Sequence, residues 1–215
     1  MSQVDQVLDN VYLISTFNQA VGIPFNVYLI QDDIPTLIHT GNASLFPQTL
    51  EAIRTIMDPA RLRYAFVSHF EADECGALTQ LQQIAKELRP VCSAVGGRQL
   101  AGFDLCQNAI VKGDGDTLEL GRRRLRFIPY PSEMHLWEGL LAYEETEGVL
   151  FTSDLFITPG PISTPVVKVD AEKVLVVPKA SIPWDEGRDA CQTRIRELQP
   201  KLLALGHGPV LDLRS

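Results

Sequence analysis

The sequence has little positive charge and no long apolar run. Its 215 residues contain 19 lysines and arginines against 27 aspartates and glutamates, a formal net charge of -8. An acidic surface repels phosphate backbones, so we expect no nucleic-acid partner. No apolar run approaches the roughly 20 residues that a membrane-spanning helix needs. The opening residues, MSQVDQVLDN, also lack the basic and apolar segments of a signal peptide. These absences predict a cytoplasmic protein without a membrane partner.

Cysteine and histidine are both scarce, with four of each. The cysteines form no C-x-x-C pair, which argues against a rubredoxin-like or iron–sulfur module in this sequence. We expect all four to be buried, reduced thiols. The cysteines are Cys75, Cys92, Cys106 and Cys191, and the histidines are His39, His69, His135 and His207.

The overall composition is that of a globular protein, with 45% hydrophobic and 21% charged residues. This length and composition predict one domain over residues 1–215. Short β-branched and aromatic runs alternate with stretches of helical periodicity, which favours an α/β fold of two packed sheets with helices outside. The predicted strands span residues 11–15, 26–31, 35–40, 64–68, 91–95, 109–112, 117–120, 125–130, 139–143, 149–153 and 202–205. The predicted helices span residues 46–57, the stretch from 78 to a stop at Pro90, and residues 188–198.

Four polar side chains follow predicted strands closely. His69, His135 and His207 each lie within five residues of a strand end, and Asp154 follows the strand at 149–153 directly. Loops at one edge of a sheet bring distant parts of a sequence together. We therefore expect these side chains to meet at one site.

The densest group of polar residues is His69, Glu71 and Asp73. In an extended segment alternate side chains point the same way, so these three would share one face. An imidazole and two carboxylates on one face suit a metal ion. The alternative is a helix N-terminus capped by Asp73, with Glu74 stabilised by the helix dipole. That alternative accounts for Asp73 but leaves His69 and Glu71 without a role.

Three segments carry a resemblance to a known family. HFEADECGAL, from His69, resembles the H-x-[EH]-x-D-[H]-x-G signature of the metallo-β-lactamase superfamily. Two later segments continue the resemblance. The superfamily's stretch around the next histidine and the bridging aspartate resembles PSEMHLWEGLLAYEETEGVLFTSDLF, and its closing histidine segment resembles LALGHGPVL. Most members have histidine where Glu71 stands. Glutamate there resembles the flavodiiron proteins, which reduce oxygen or nitric oxide, and related diiron oxygen sensors. The resemblance implies a four-layer αββα sandwich, the metallo-β-lactamase fold.

The same resemblance implies a ligand set for two metal ions. His69, Glu71 and His135 would bind one metal, Asp73 and His207 the other, and Asp154 would bridge them. Imidazole and carboxylate together form a nitrogen–oxygen set. Glu71 adds hard negative charge, which favours ferric iron over zinc. We therefore expect two iron ions with a bridging hydroxide or oxide, and zinc or manganese is the less favoured alternative.

The sequence departs from the family pattern at two places. Glu74 stands where most members have histidine, and it is a candidate for orienting a ligand imidazole, for ligation, or for capping a helix. His39 stands where an aspartate usually supports the site, so it is a second supporting candidate. Nothing in the sequence resembles the flavodoxin domain of flavodiiron proteins. We therefore expect no flavin site in this chain and a separate electron donor.

Three functions are compatible with this reading. The first is a diiron oxidoreductase that reduces dioxygen or nitric oxide with electrons from an external reductase or flavoprotein. The second is a reversible oxygen or nitric oxide sensor without turnover. The third is a metal-dependent hydrolase that uses a metal-bound hydroxide. A homodimer is compatible with each of them.

Overall fold

The first half of the chain forms one seven-stranded sheet. The computed structural model describes residues 2–131 and 139–214. Strands β1 to β4 run antiparallel to one another, and β4 to β7 run parallel. The strands lie in chain order: β1 (Gln3–Leu8), β2 (Val11–Asn18), β3 (Ile23–Ile30), β4 (Thr36–Ile38), β5 (Tyr64–Phe66), β6 (Arg89–Cys92) and β7 (Ile110–Val111).

The second half forms another seven-stranded sheet, in the order β12-β14-β13-β11-β10-β9-β8. Strand β11 pairs in parallel with β13, whereas β9, β10 and β11 form an antiparallel meander. The strands are β8 (Thr117–Glu119), β9 (Arg124–Tyr130), β10 (Gly139–Glu144), β11 (Val149–Ser153), β12 (Val166–Lys168), β13 (Leu202–Leu205) and β14 (Val210–Asp212).

The helices lie outside the two sheets. They are α1 (Phe46–Ile56), α2 (Ala72–Cys75), α3 (Leu78–Ile84), α4 (Ala94–Gly102), α5 (Ala171–Val174) and α6 (Asp185–Glu197), and short 3-10 turns occupy Ala43–Leu45 and Pro59–Arg61. Across residues 2–131 and 139–214, none of the helices combines the length and the apolar character that crossing a membrane requires.

Three apolar clusters define the layers. The middle cluster joins the facing sides of the two sheets through residues such as Leu13, Phe66 and Phe127. A second cluster packs α1 and α3 onto the first sheet, for example through Ile53 and Leu78. A third packs α6 onto the second sheet. These layers confirm the predicted αββα sandwich.

Parallel pairing places the candidate residues at one edge. Strands β4 and β5 end next to each other, as do β11 and β13 in the other sheet. The loops that follow these strands contain His39, His69, Asp154 and His207. The ends of parallel strands thus meet at the rim where we expected the site.

Two predictions of local structure are wrong. Pro90 was expected to stop a helix, but α3 ends at Ile84 and Pro90 lies in β6, paired with Ala65. A turn in which the Leu88 N–H donates to the Ala85 carbonyl ends the helix instead and buries Leu88. Residues 94–102 form the unpredicted helix α4. Its low-propensity glycines are offset by the Ser93 hydroxyl, which accepts the Gly96 N–H.

A buried aspartate joins the two sheets at the end remote from the candidate site. Asp32 lies before β4 begins, and its carboxylate accepts the backbone N–H groups of Arg122 (3.3 Å) and Arg123 (2.8 Å), which precede β9. It also accepts the N–H of Asp33 at 2.9 Å. Burial opposes ionisation, but these three hydrogen bonds and the Arg122 charge hold the pKa of Asp32 below its usual value.

We expect Asp32→Asn to lower the free energy of unfolding by about 1–2 kcal/mol at neutral pH, because charge-assisted hydrogen bonds become weaker. The depressed pKa means that this stabilisation exists above the unfolded-state pKa and is lost as pH falls through the folded-state pKa. Urea unfolding at several pH values, with the exposed neighbour Asp33→Asn as control, measures the difference. Equal stability of the two variants at neutral pH would contradict this account of Asp32.

Candidate metal centre

Five of the six predicted ligands converge at the rim formed by the ends of β5, β11 and β13. One group has ligand atoms of His69, Glu71 and Asp154 within 4.8 Å of one another. A second group, by the same measure, contains Asp73, Glu74 and His207. The sixth predicted ligand, His135, lies in residues 132–138, outside the described part of the chain.

His69 is oriented by two serine hydroxyls. Its Nδ1 lies 3.1 Å from Oγ of Ser68 and 3.3 Å from Oγ of Ser153, and these two oxygens are 2.8 Å apart. The other ring nitrogen, Nε2, lies 3.0 Å from Oε2 of Glu71. The hydroxyl pair therefore holds the buried ring with Nε2 directed at the carboxylates.

His207 is oriented by a backbone carbonyl. Its Nδ1 donates to the Pro24 carbonyl oxygen at 2.8 Å, so Nε2 points towards Oδ2 of Asp73 and Oδ1 of Asp154, each 3.3 Å away. Gly206 allows the loop to pass close to β11, because a Cβ there would lie 2.9 Å from the Ser153 carbonyl oxygen. A hydrogen bond from Nδ1 to a carbonyl fixes the ring position of a metal-binding histidine.

Asp154 stands between the two groups. Its Oδ2 is 3.6 Å from Nε2 of His69, and its Oδ1 is 3.3 Å from Nε2 of His207. The two oxygens of one carboxylate therefore face different imidazoles. This is the arrangement that a carboxylate bridging two cations requires.

Without a metal ion, Asp154 and His207 favour each other's charged forms. Burial opposes ionisation of Asp154, but the hydrogen bond with His207 and the His69 imidazole hold the pKa of Asp154 below its usual value. Burial also opposes charging of His207, yet its hydrogen bond with Asp154 and the Asp73 carboxylate raise the pKa of His207. The Nε2 atom of His207 faces two carboxylates, which would also attract a metal cation.

Glu74 is buried beside the other carboxylates. Its side chain is 1% exposed, and neither of its oxygens accepts a hydrogen bond from the described residues. Burial, together with the neighbouring Asp73 and Asp154 carboxylates, raises the pKa of Glu74 well above its usual range. Burial likewise raises the pKa of Asp73. Crowded carboxylates of this kind need a proton or a metal cation to offset their charge.

His39 lies behind Glu74. Its Nδ1 is 3.9 Å from Oε1 of Glu74, and the ring is buried. Burial, reinforced by His69, lowers the pKa of His39 to about 3. The ring is therefore neutral, and it is placed to support the carboxylate group from the side of the first sheet.

Two of these residues have left-handed backbone conformations. His39 has a φ of 65° and Ser153 a φ of 48°. Residues other than glycine adopt such values in only a few per cent of cases, and these cases cluster at functional sites. Sequence reasoning overlooked Ser153 and Ser68 as orienting groups. Their signal was a hydroxyl residue directly before a candidate ligand at the end of a buried strand.

The donor set fits a pair of hard or intermediate metal ions. Carboxylate oxygens and imidazole nitrogens dominate, and the two groups contain no thiolate. Cys75 is close in sequence, but its thiol donates to the Glu71 carbonyl oxygen, and burial raises the pKa of Cys75 to about 11. The thiol is therefore protonated and is not a ligand in this arrangement.

Comparisons with known proteins agree with the fold and the motifs. Residues 23–208 match the family described as ODP family beta lactamase. The chain is 23% identical to the Flavo-diiron protein FprA2 of Clostridium acetobutylicum over 96% of its length and 56% of that protein. It is 29% identical to the Rubredoxin-oxygen oxidoreductase of Megalodesulfovibrio gigas over 63% of its length and 34% of that protein.

A solved structure shows the same fold over nearly the whole chain. The flavodiiron protein from Giardia intestinalis superposes with a TM-score of 0.83 at 19% identity, covering 98% of this chain and 56% of that one. The chain spans 56% and 34% of the two curated relatives. The family match covers most of the sequence and the sandwich agrees with it. The chain belongs to the ODP family of β-lactamases, within the metallo-β-lactamase superfamily.

Proposed function

We propose that this protein holds two iron ions at the rim of the sandwich and uses them to reduce dioxygen or nitric oxide. The observation that carries the proposal is the position of Asp154, whose two oxygens face the imidazoles of two separate ligand groups. The Clostridium relative, a flavo-diiron protein by name, and the oxygen oxidoreductase of Megalodesulfovibrio support this choice among the activities of the superfamily.

The proposed ligands divide between the two metals as the sequence motifs imply. His69, Glu71 and His135 bind the first ion, Asp73 and His207 bind the second, and Asp154 bridges them. Iron suits this set better than zinc, because carboxylates contribute hard negative charge and iron, unlike zinc, can change its oxidation state. A hydroxide or oxide bridge completes the charge balance.

When bound, the iron pair supplies electrons to a small diatomic substrate. The protein contributes fixed ligand positions. The Ser68 and Ser153 hydroxyls and the Pro24 carbonyl hold the two imidazoles in place. The Glu71 side chain is 39% exposed, whereas that of His69 is fully buried. We place the approach of the substrate on the side of Glu71.

The electrons come from a separate donor in this proposal. The Megalodesulfovibrio relative, which has rubredoxin in its name, supports a protein donor. A reductase or flavoprotein would dock near the rim and deliver electrons one at a time. In its absence, the same site would serve as an oxygen or nitric oxide sensor.

Replacing Glu71 by alanine tests the ligand assignment. We expect Glu71→Ala to fall from about two iron ions per chain to about one, because the first ligand group loses a carboxylate. Metal analysis of protein purified from iron-supplemented cells measures this, with Glu87→Ala, an exposed carboxylate outside the site, as the control. Two iron ions in Glu71→Ala would show that Glu71 is not a ligand.

Oxygen exposure of the reduced protein tests the proposed reaction. We expect the anaerobically reduced, iron-loaded protein to regain its oxidised near-ultraviolet spectrum rapidly on mixing with oxygen. With a reductant supplied, repeated oxygen consumption should follow in an oxygen electrode. A long-lived spectrum that reverts when oxygen is removed would favour the sensor instead. Zinc as the dominant metal would favour the hydrolase.

A further inference from the structure

Glu74 occupies a position between the two ligand groups. Its Oε2 lies 3.8 Å from Nε2 of His69, in the first group. It also belongs to the second group, where its carboxylate lies within 4.8 Å of ligand atoms of Asp73 and His207. Among the ligand groups of the described chain, Glu74 and Asp154 are therefore the two carboxylates that approach both imidazoles.

The carboxylate of Glu74 is buried and lacks the hydrogen bonds that usually offset the cost of burying a charge. The side chain is 1% exposed, and neither oxygen accepts a hydrogen bond from residues 2–131 or 139–214. The imidazoles of His69 and His39 stand 3.8 and 3.9 Å away, beyond hydrogen-bonding distance. A buried carboxyl group without donors must either hold a proton or bind a cation.

The backbone fixes Glu74 in this position. The Thr40 N–H donates to the Glu74 carbonyl oxygen, and the His39 N–H donates to that of Phe66, both at 2.8 Å. The first bond ties α2 to the loop after β4, and the second ties that loop to the end of β5. The backbone of Glu74 is therefore held against the first sheet, which keeps its side chain in the buried site. A helix-capping role does not account for the side chain, because the N-cap position of α2 is Glu71.

We infer that Glu74 is a further metal ligand, which binds the second ion together with Asp73, His207 and the bridging Asp154. The inference rests on the proposed dimetal centre and deepens it. The second ion then has three carboxylates and one imidazole. Four carboxylates in the whole site, Glu71, Asp73, Glu74 and Asp154, balance the charge of two divalent cations.

The competing explanation is that Glu74 is a protonated acid that donates a hydrogen bond to the Asp73 carboxylate, with which it interacts. Glutamine separates the two explanations. Its amide N–H can make the same hydrogen bond to Asp73, but its neutral side chain is a poor ligand for a hard cation. Histidine at the same position can also donate an N–H to Asp73, but unlike glutamine it offers a good ligand nitrogen.

The experiment compares metal content and affinity in four iron-loaded proteins: the unaltered chain, Glu74→Gln, Glu74→His, and the exposed control Glu87→Gln. Ligation predicts about two ions per chain in the unaltered protein and the control, about one in Glu74→Gln, and recovery of the second in Glu74→His. Two ions bound to Glu74→Gln with unchanged affinity would overturn the inference and leave the dimetal centre intact.

Other outcomes separate this inference from the proposed function. An unaltered chain that binds no metal would overturn both. If Glu74→Gln fails to fold, Glu74→His decides alone. Two ions in that variant, with a changed spectrum of the oxidised iron pair, support ligation, whereas two ions with an unchanged spectrum overturn it.

Discussion

Crowded carboxylates and imidazoles at the edge of an apolar sandwich set the conditions for the whole structure. Asp73, Glu74 and Asp154 lie close together where water is largely excluded, so their mutual repulsion must be offset. In the metal-free protein the His207 imidazole, 3.3 Å from both Asp73 and Asp154, offsets part of it, and these carboxylates raise the pKa of His207. A pair of metal ions offsets it more completely. The fold therefore fixes mutually repelling carboxylates at positions where metal cations can bind them.

The fold can hold these carboxylates together because the interactions that stabilise it lie away from them. The interior of the sandwich is apolar, and Asp32 links the two sheets at the end opposite the site. At the site, each imidazole is fixed through the ring nitrogen that faces away from the carboxylates. Two serine hydroxyls hold His69 and the Pro24 carbonyl holds His207. Rigid second partners of this kind determine the affinity of metal sites as much as the ligands themselves.

Much of the site could be predicted from short sequence motifs, because the candidate ligands lie in the segments that directly follow strands. Strand β11 and strand β13 were predicted with their observed bounds, and Asp154 and His207 follow them. The prediction that the chain is extended from His69 to Asp73 was only partly correct. The chain turns into the short helix α2 at Ala72, so Asp73 and Glu74 are helical residues, and both reach the second group. Strict alternation would have placed Glu74 on the opposite face.

Other features depend on tertiary contacts that no local pattern encodes. The helix α4 contains paired glycines, which disfavour helices, and it forms where Gly96 packs closely on Cys92. Strand β1 is half exposed and gave no apolar alternation, yet it pairs along most of its length with β2. The positive φ of Ser153 allows its hydroxyl to reach His69, and this conformation has no sequence signal in a serine.

The most direct test of this account is the anomalous diffraction of crystals of the iron-loaded protein at the iron edge. The account predicts two peaks about 3.5–4 Å apart. One should lie against His69 and Glu71, the other against Asp73 and His207, with an Asp154 oxygen bound to each. A single peak, or iron bound away from Asp154, would contradict the claim that this rim holds a pair of metal ions.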